Sequence, residues 1–283
     1  MKPWVAFLTF TAAQAQTYTP ALNVKVGDER HYEYSKSIGA MVSRTPVTIR
    51  VVEVTGRGTV LEWEQGESRV DNLDLAARAV LGSMAPLLGA LSQALRPRYL
   101  VTPQRKLLVD NAEELREKAP EAIEAFVKAL PEEQRKQSRA AVEVFAANSA
   151  ALPSMLSADL RGVIGYLIWT YPSVASGTLP APLTGLGGPL RSRVQCDLLS
   201  SGDPVRLRVV TTPDPEEFRK AVNKIFRDAG GESAPEAPAV KLETRTEIEI
   251  ESATGLPLSL VSDSEMYGGN QSQRTRTELR RVD

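Results

Sequence analysis

Apolar and polar positions alternate strictly where the chain's periodic region begins. In "DERHYEYSKSI" (Asp28 to Ile38), Tyr32 and Tyr34 alternate with His31 and Glu33 behind a turn-like Gly27-Asp28, which predicts a first strand. "PVTIRVVEV" then puts Val47, Ile49 and Val51 on one face. The glycines of "GRG" (Gly56 to Gly58) supply a reversal, and Leu61 and Trp63 share a face of "TVLEWEQ". Three strands joined this closely form an antiparallel meander rather than a βαβ unit.

From Leu73 the period lengthens. Leu75, Ala79, Leu87, Leu91 and Leu95 recur at helical spacing, with Pro86 a breaking point. "PRYLVTPQRKLLVD" interrupts the helical pattern as a short hairpin turning at Thr102 to Arg105. Asn111 then caps a helix whose Glu113 and Glu114 suit its positive end and whose Leu115 and Ile123 form an apolar side, with Pro120 a kink point. Pro131 restarts the pattern toward Val142 and Leu152, and a further helix is predicted from Asp159 to Trp169. The helical block thus covers about 73–170. "TYPSVASGTLPAPLTGLGGPL" (Thr170 to Leu190) is dense in proline and glycine without a period, so it reads as a long loop suited to a lid.

Strands resume in "RSRVQCDLLSSGDPVRLRVVTT", where Val194, Cys196 and Leu198 face Val205, Leu207 and Val209 across the turn Ser201 to Pro204. Asp214 as N-cap, Pro215 at the first helical position, Glu217 three after the cap, and Gly230-Gly231 beyond the end punctuate a helix. A flexible linker follows at 230–240. "TEIEIESATGLPLSLVSDSEM" forms a strand pair reversing at Thr254-Gly255, and "SQRTRTELRRVD" a last strand. Meander, helices, strand pair, helix and meander together predict a single α+β domain over 16–283, an antiparallel sheet with its helices on one face.

Composition narrows the function. Hydrophobic content of 42% with 24% charged residues is ordinary for a globular chain. A formal net charge of −1 gives no general attraction to nucleic acid, so no nucleic-acid partner is expected. Lys2, the apolar run Trp4 to Phe10 and the small residues Ala13 and Ala15 follow the order of a signal peptide over 1–15, with a mature start at Gln16. The residue at that point is Gln16 and not a cysteine that could take a lipid anchor, so the product is expected in the periplasm or outside the cell. The other long apolar stretch, Gly162 to Tyr171, falls short of the roughly 20 residues a membrane span needs, so the chain is not membrane-spanning.

Catalytic and metal-binding chemistry is sparse. His31 is the one histidine and Cys196 the one cysteine, so no metal site, cofactor or disulfide is expected. Cys196 alternates with apolar neighbours and reads as a buried, inert thiol, and His31 as a surface residue. No GxSxG elbow occurs, and "TGLGGP" lacks a phosphate loop's lysine. The carboxylates Glu113, Glu114, Glu117, Glu132 and Glu133 are interleaved with Arg116, Lys118, Arg135 and Lys136, as on a solvated helix face. The chain is therefore expected to be non-enzymatic, with no catalytic residues, and hydrolysis ranks third among the functions considered. Arg191, Arg193, Arg206, Arg208, Arg274, Arg276, Arg280 and Arg281 stand against Glu243, Glu247, Glu249, Glu251 and Glu278 as cross-strand pairs on a wet sheet face.

The leader, the antiparallel ladder, the helices against it and the closing hairpin "SATGLPLSLVSDSEM" together resemble the lipoprotein-carrier superfold of the bacterial envelope, which includes the periplasmic lipoprotein chaperone and mycobacterial lipid carriers. The resemblance implies a curved, half-barrel-like sheet whose covering helices enclose an apolar cavity for acyl chains. The helical block is larger than the carriers' usual cover, and no binding residue is carried over. Two functions follow: an exported protein that binds an apolar ligand, a lipid or a lipidated partner between sheet and helices, or an envelope interaction module with a packed core and a protein partner. For the first, Leu61, Trp63, Val194, Leu207, Ile248 and Ile250 are the expected ligand-lining residues.

Overall fold

Twelve strands and three helices hold the described residues of the computed structural model, which are 17–71, 95–129, 132, 135, 153, 156–180, 189–228, 241–268 and 271–283. The predicted leader (1–15), the helical patterns Leu73 to Ala94 and Val142 to Leu152, and the linker at 230–240 lie outside them. The first six strands are β1 (Glu29–Ile38), β2 (Met41–Thr55), β3 (Gly58–Gln65), β4 (Arg69–Asp71), β5 (Arg98–Val101) and β6 (Leu107–Val109). The other six are β7 (Ser173–Pro180), β8 (Pro189–Ser200), β9 (Val205–Pro213), β10 (Lys241–Ile250), β11 (Pro257–Gly268) and β12 (Gln271–Arg281). They form one open antiparallel sheet in the order β6-β5-β3-β2-β1-β12-β11-β10-β9-β8-β7, with β4 paired to β2.

Two meanders, one from each end of the chain, are fused where the first strand meets the last. Tyr34 lies opposite Leu279, and Lys36 opposite Thr277. Because side chains alternate along a strand, this register puts Tyr32 and Tyr34 on the same face as Val47, Ile49, Leu61, Trp63, Leu260, Ile248 and Leu207. All of these belong to one buried cluster.

The helices gather on that face. α1 (Ala112–Ala129) turns Leu115, Ala119 and Ile123 toward Leu95 and Leu156, and the described helix runs through Pro120. Asn111 starts the helix through its backbone carbonyl, yet its side chain serves the neighbouring strand: it accepts from the Arg98 N–H at 2.9 Å and donates to the Arg96 carbonyl at 3.2 Å. α2 (Ala158–Ile164) tightens into a 3₁₀ turn (Gly165–Ile168), and Leu160, Val163, Ile164, Tyr166 and Leu167 join the main cluster. α3 (Pro215–Asp228) begins as predicted, the Asp214 carboxylate accepting the Glu216 and Glu217 N–H groups at 2.9 and 3.0 Å. Glu217 does not complete a capping box; it accepts the Arg191 N–H at 2.8 Å and pins the helix to β8. Phe218 packs there with Leu190 and Leu242.

One expectation is overturned. Much of Thr170 to Leu190 is not loop but the hairpin arms of β7 and β8, paired from Ser173↔Cys196 to Pro180↔Pro189. Proline and glycine mislead here because β7 is an edge strand, where one row of N–H groups needs no partner and proline is tolerated.

Candidate functional site

The helix-bearing face is apolar and sealed at one end. The six expected lining residues are all there, none more than 3% exposed, in the cluster that α2 and the 3₁₀ turn complete. Phenol hydroxyls fasten this end. Tyr32 donates to the Pro257 carbonyl at 3.0 Å, Tyr34 to Asp159 of α2 at 2.9 Å, Tyr166 to the Gly255 carbonyl at 2.6 Å, and Tyr171 to the Tyr166 carbonyl at 3.2 Å. Burial pushes the Tyr34 and Tyr166 hydroxyls well above the usual phenol range, so both stay neutral donors. Leu61, Trp63, Val194, Leu207, Ile248 and Ile250 are buried in one cluster with those rings.

Further along the same face the character changes. Across β10, β11 and β12 the inward positions are Thr244 and Thr246, Ser262 and Ser264, Thr275 and Thr277. Register aligns them in two rows. One runs Thr246, Ser262, Thr277, Lys36 and Ser43, and the other Thr244, Ser264, Thr275, Ile38 and Met41. Thr244 bonds Ser264 and Thr246 bonds Ser262, each at 2.9 Å. Apart from the nearly buried Thr244, the band is half-buried. Lys36 is its one charge, and among the described residues it has no hydrogen-bond or ion-pair partner. Sequence reasoning aimed at apolar positions passes this band by, although its signal is plain: "TRT", "SDS" and "TRT" repeat hydroxyls at period two in three neighbouring strands.

The opposite face is charged. Asp263 takes Arg274 at 2.9 Å and Arg276 at 3.4 Å, Glu249 takes Arg206 at 3.2 Å, and Asp197 takes Arg208 at 2.8 Å. Cross-strand pairing absorbs these arginines, although of these pairs only Arg206–Glu249 joins the two expected sets and the others place Arg274, Arg276 and Arg208 on Asp263 and Asp197. Arg281 and Glu251 depart from the expected wet-face placement: Arg281 lies opposite Tyr32, on the helix-bearing side, and meets Glu251 at 3.0 Å. The Thr254 hydroxyl, and after it Arg281, hold the Glu251 carboxyl below its usual range. A shallow trough of about 340 Å³ on the charged face runs over Ser35 and Ser37 between Arg44, Arg276 and Arg280.

His31 is exposed, its Nδ1 3.0 Å from the Thr48 hydroxyl. No group of three or more His, Cys, Asp or Glu among the described residues could hold a metal ion, and no helix among them is long and apolar enough to cross a membrane. Cys196 is 1% exposed, and burial raises its thiol to about 11. A thiol-specific reagent such as dithiobisnitrobenzoate at pH 8 is expected to leave the native protein unlabelled and to titrate one thiol in denaturant. Rapid native labelling would show the β8 environment to be open.

No family profile matches the sequence, and no curated protein matches it. Among solved structures, one of lipid–protein interactions in lipovitellin is similar at 9% identity and a TM-score of 0.38. The likeness covers 92% of this chain and 25% of the lipovitellin chain, so the present chain spans about a quarter of that protein's length.

Proposed function

We propose that this chain is an exported, non-enzymatic binding protein that shelters an apolar or amphipathic ligand, or a lipidated partner, between its sheet and helices, as envelope lipid carriers do. The observation that carries the reading is the hydroxyl band. At equal heights on β10, β11 and β12 the outer face bears Glu243, Arg245, Glu247, Asp263, Glu265, Arg274 and Arg276, while the helix-bearing face bears only short, uncharged hydroxyls. A water-washed face favours long charged side chains, as the outer one has, whereas a half-buried, uncharged hydroxyl surface suits a guest with some polarity. Export rests on the leader-like order of Met1 to Ala15, and cleavage before Gln16 leaves intact the Tyr18 to Tyr171 bridge that tethers the start of the described chain.

Native mass spectrometry of the protein recovered from a bacterial periplasm after expression with its own leader tests both parts. The expected spectrum has a mass beginning at Gln16 and adducts of lipid mass that leave on collisional activation. An apolar fluorescent probe is expected to brighten on binding. Absence of both adduct and probe uptake overturns the ligand reading. In that event the second reading, an interaction module with a packed interior, is favoured by the sealing of all six expected lining residues.

A further inference from the structure

We infer that Lys36 and the hydroxyl band form a subsite for the anionic head of an amphiphile, a carboxylate or phosphate joined to a hydrocarbon chain. The inference deepens the binding function proposed above and rests on it. Three features converge.

First, Lys36 follows Tyr32 and Tyr34 on the inward side of β1, directly between Thr277 of β12 and Ser43 of β2. Its side chain thus leaves the sheet on the side of the hydroxyl rows and not on the arginine- and glutamate-bearing face. Second, the groups that neutralise other cations are not found beside it among the described residues. Asp159, the acidic residue that α2 brings to this face, is engaged by the Tyr34 hydroxyl, and no carboxylate among the described residues pairs with Lys36. A half-buried cation without a counterion is stabilised by an incoming anion. Third, the hydroxyls can complete such an anion's coordination. Ser43 and Ser262 share the row with Lys36, and Ser43, together with Ser262 when Thr246 is the donor of their mutual bond, can donate to a carboxylate or phosphate oxygen, while the Thr277 hydroxyl is taken up by Tyr34. The neighbouring inward positions give the chain of the amphiphile its surface: Ile38 lies beside Lys36, and Leu242 and Met266 continue below Thr244 and Ser264 toward Phe218.

The test uses the purified full-length mature chain, stripped of lipid, in calorimetric or fluorescence titrations below the critical micelle concentration. The probes are oleate, oleyl alcohol with nearly the same chain and no charge, and inorganic phosphate. Oleate is expected to bind at least about tenfold more tightly than the alcohol, the scale of a charge-assisted hydrogen bond. Lys36→Gln is expected to abolish that preference by weakening oleate about tenfold more than oleyl alcohol, and Lys36→Arg to restore most of it. Equal binding of acid and alcohol, or a preference that survives Lys36→Gln, overturns the headgroup subsite and leaves the binding function standing. Failure of both chain-bearing probes overturns the binding function itself. Phosphate binding as tightly as oleate assigns the site to a free anion and overturns the amphiphile.

Discussion

Replacing Trp63 by alanine is expected to destabilise the fold by about 3–5 kcal/mol, the range for deleting a large aromatic from a close-packed core. The indole is fully buried on β3 and meets the edge of Tyr34 with ring centres 5.7 Å apart and planes at 88°. Tyr34 in turn holds α2 through Asp159, so one side chain links the sheet floor to the helix above it. At roughly 2–4 °C per kcal/mol for a chain of this size, the midpoint of thermal unfolding falls by about 6–20 °C. Trp63→Phe separates two contributions. The indole N–H is buried without a hydrogen-bond partner among the described residues, so phenylalanine loses packing area but also removes an unsatisfied donor. Its cost is expected to be less than half that of alanine. Chemical denaturation followed by circular dichroism reads both variants. A loss under about 1 kcal/mol for Trp63→Ala would mean that the site is loosely packed and open to a ligand. Lys36-dependent oleate binding is expected to persist in the folded fraction of Trp63→Phe, because the sealed end and the hydroxyl band are different parts of the face.

Much of this arrangement is legible in the sequence, and what is illegible has a common cause. Alternation of large apolar residues locates β1, β3, β8 and β9 closely, and the Asp214-Pro215 start of α3 is read correctly from its punctuation. Where inward positions carry hydroxyls, the same rule fails. The first half of β2, "MVSRT", shows no apolar alternation, since Ser43 and Thr45 fill its inward places, and it is missed although it pairs with all of the second half of β1. The Thr and Ser pairs of β10, β11 and β12 are read as strand but not as a surface. Apolarity finds the sealed end of the face and selects Leu61, Trp63, Val194, Leu207, Ile248 and Ile250, because burial in a core and contact with an apolar ligand demand the same side chains. The edge strand β7 is lost for a different reason: its composition is that of a loop, and only its position at the sheet margin permits it.

The turn "SATGLPL" yields the second large effect: Gly255→Ala is expected to cost about 2–4 kcal/mol, well beyond an ordinary turn glycine. Gly255 has φ +75°, where an L side chain alone costs about 1–2 kcal/mol. Its Cβ would also fall onto the backbone carbonyl of Ala21, part of the N-terminal segment that crosses this turn. That segment is bonded there, the Asn23 N–H to the Thr254 carbonyl at 2.9 Å and its side-chain amide to the Ala253 carbonyl at 3.1 Å. Backbone cannot swing aside as a flexible side chain can, so either the turn or the crossing segment must move. Movement of the turn disturbs the Gly255 carbonyl that accepts from Tyr166 and the Glu251 carboxylate that holds Arg281. Gly39→Ala is the control. It sits at φ +59° in the β1–β2 turn with nothing within 4 Å of its added carbon, so it carries the conformational cost alone. The excess of Gly255→Ala over Gly39→Ala therefore measures the contact with the crossing segment. Limited proteolysis gives an independent readout, with cleavage between Thr17 and Val26 expected to accelerate in Gly255→Ala and to stay at the wild-type rate in Gly39→Ala. Equal stability losses and equal cleavage rates in the two variants would show that the N-terminal segment does not rest on this turn.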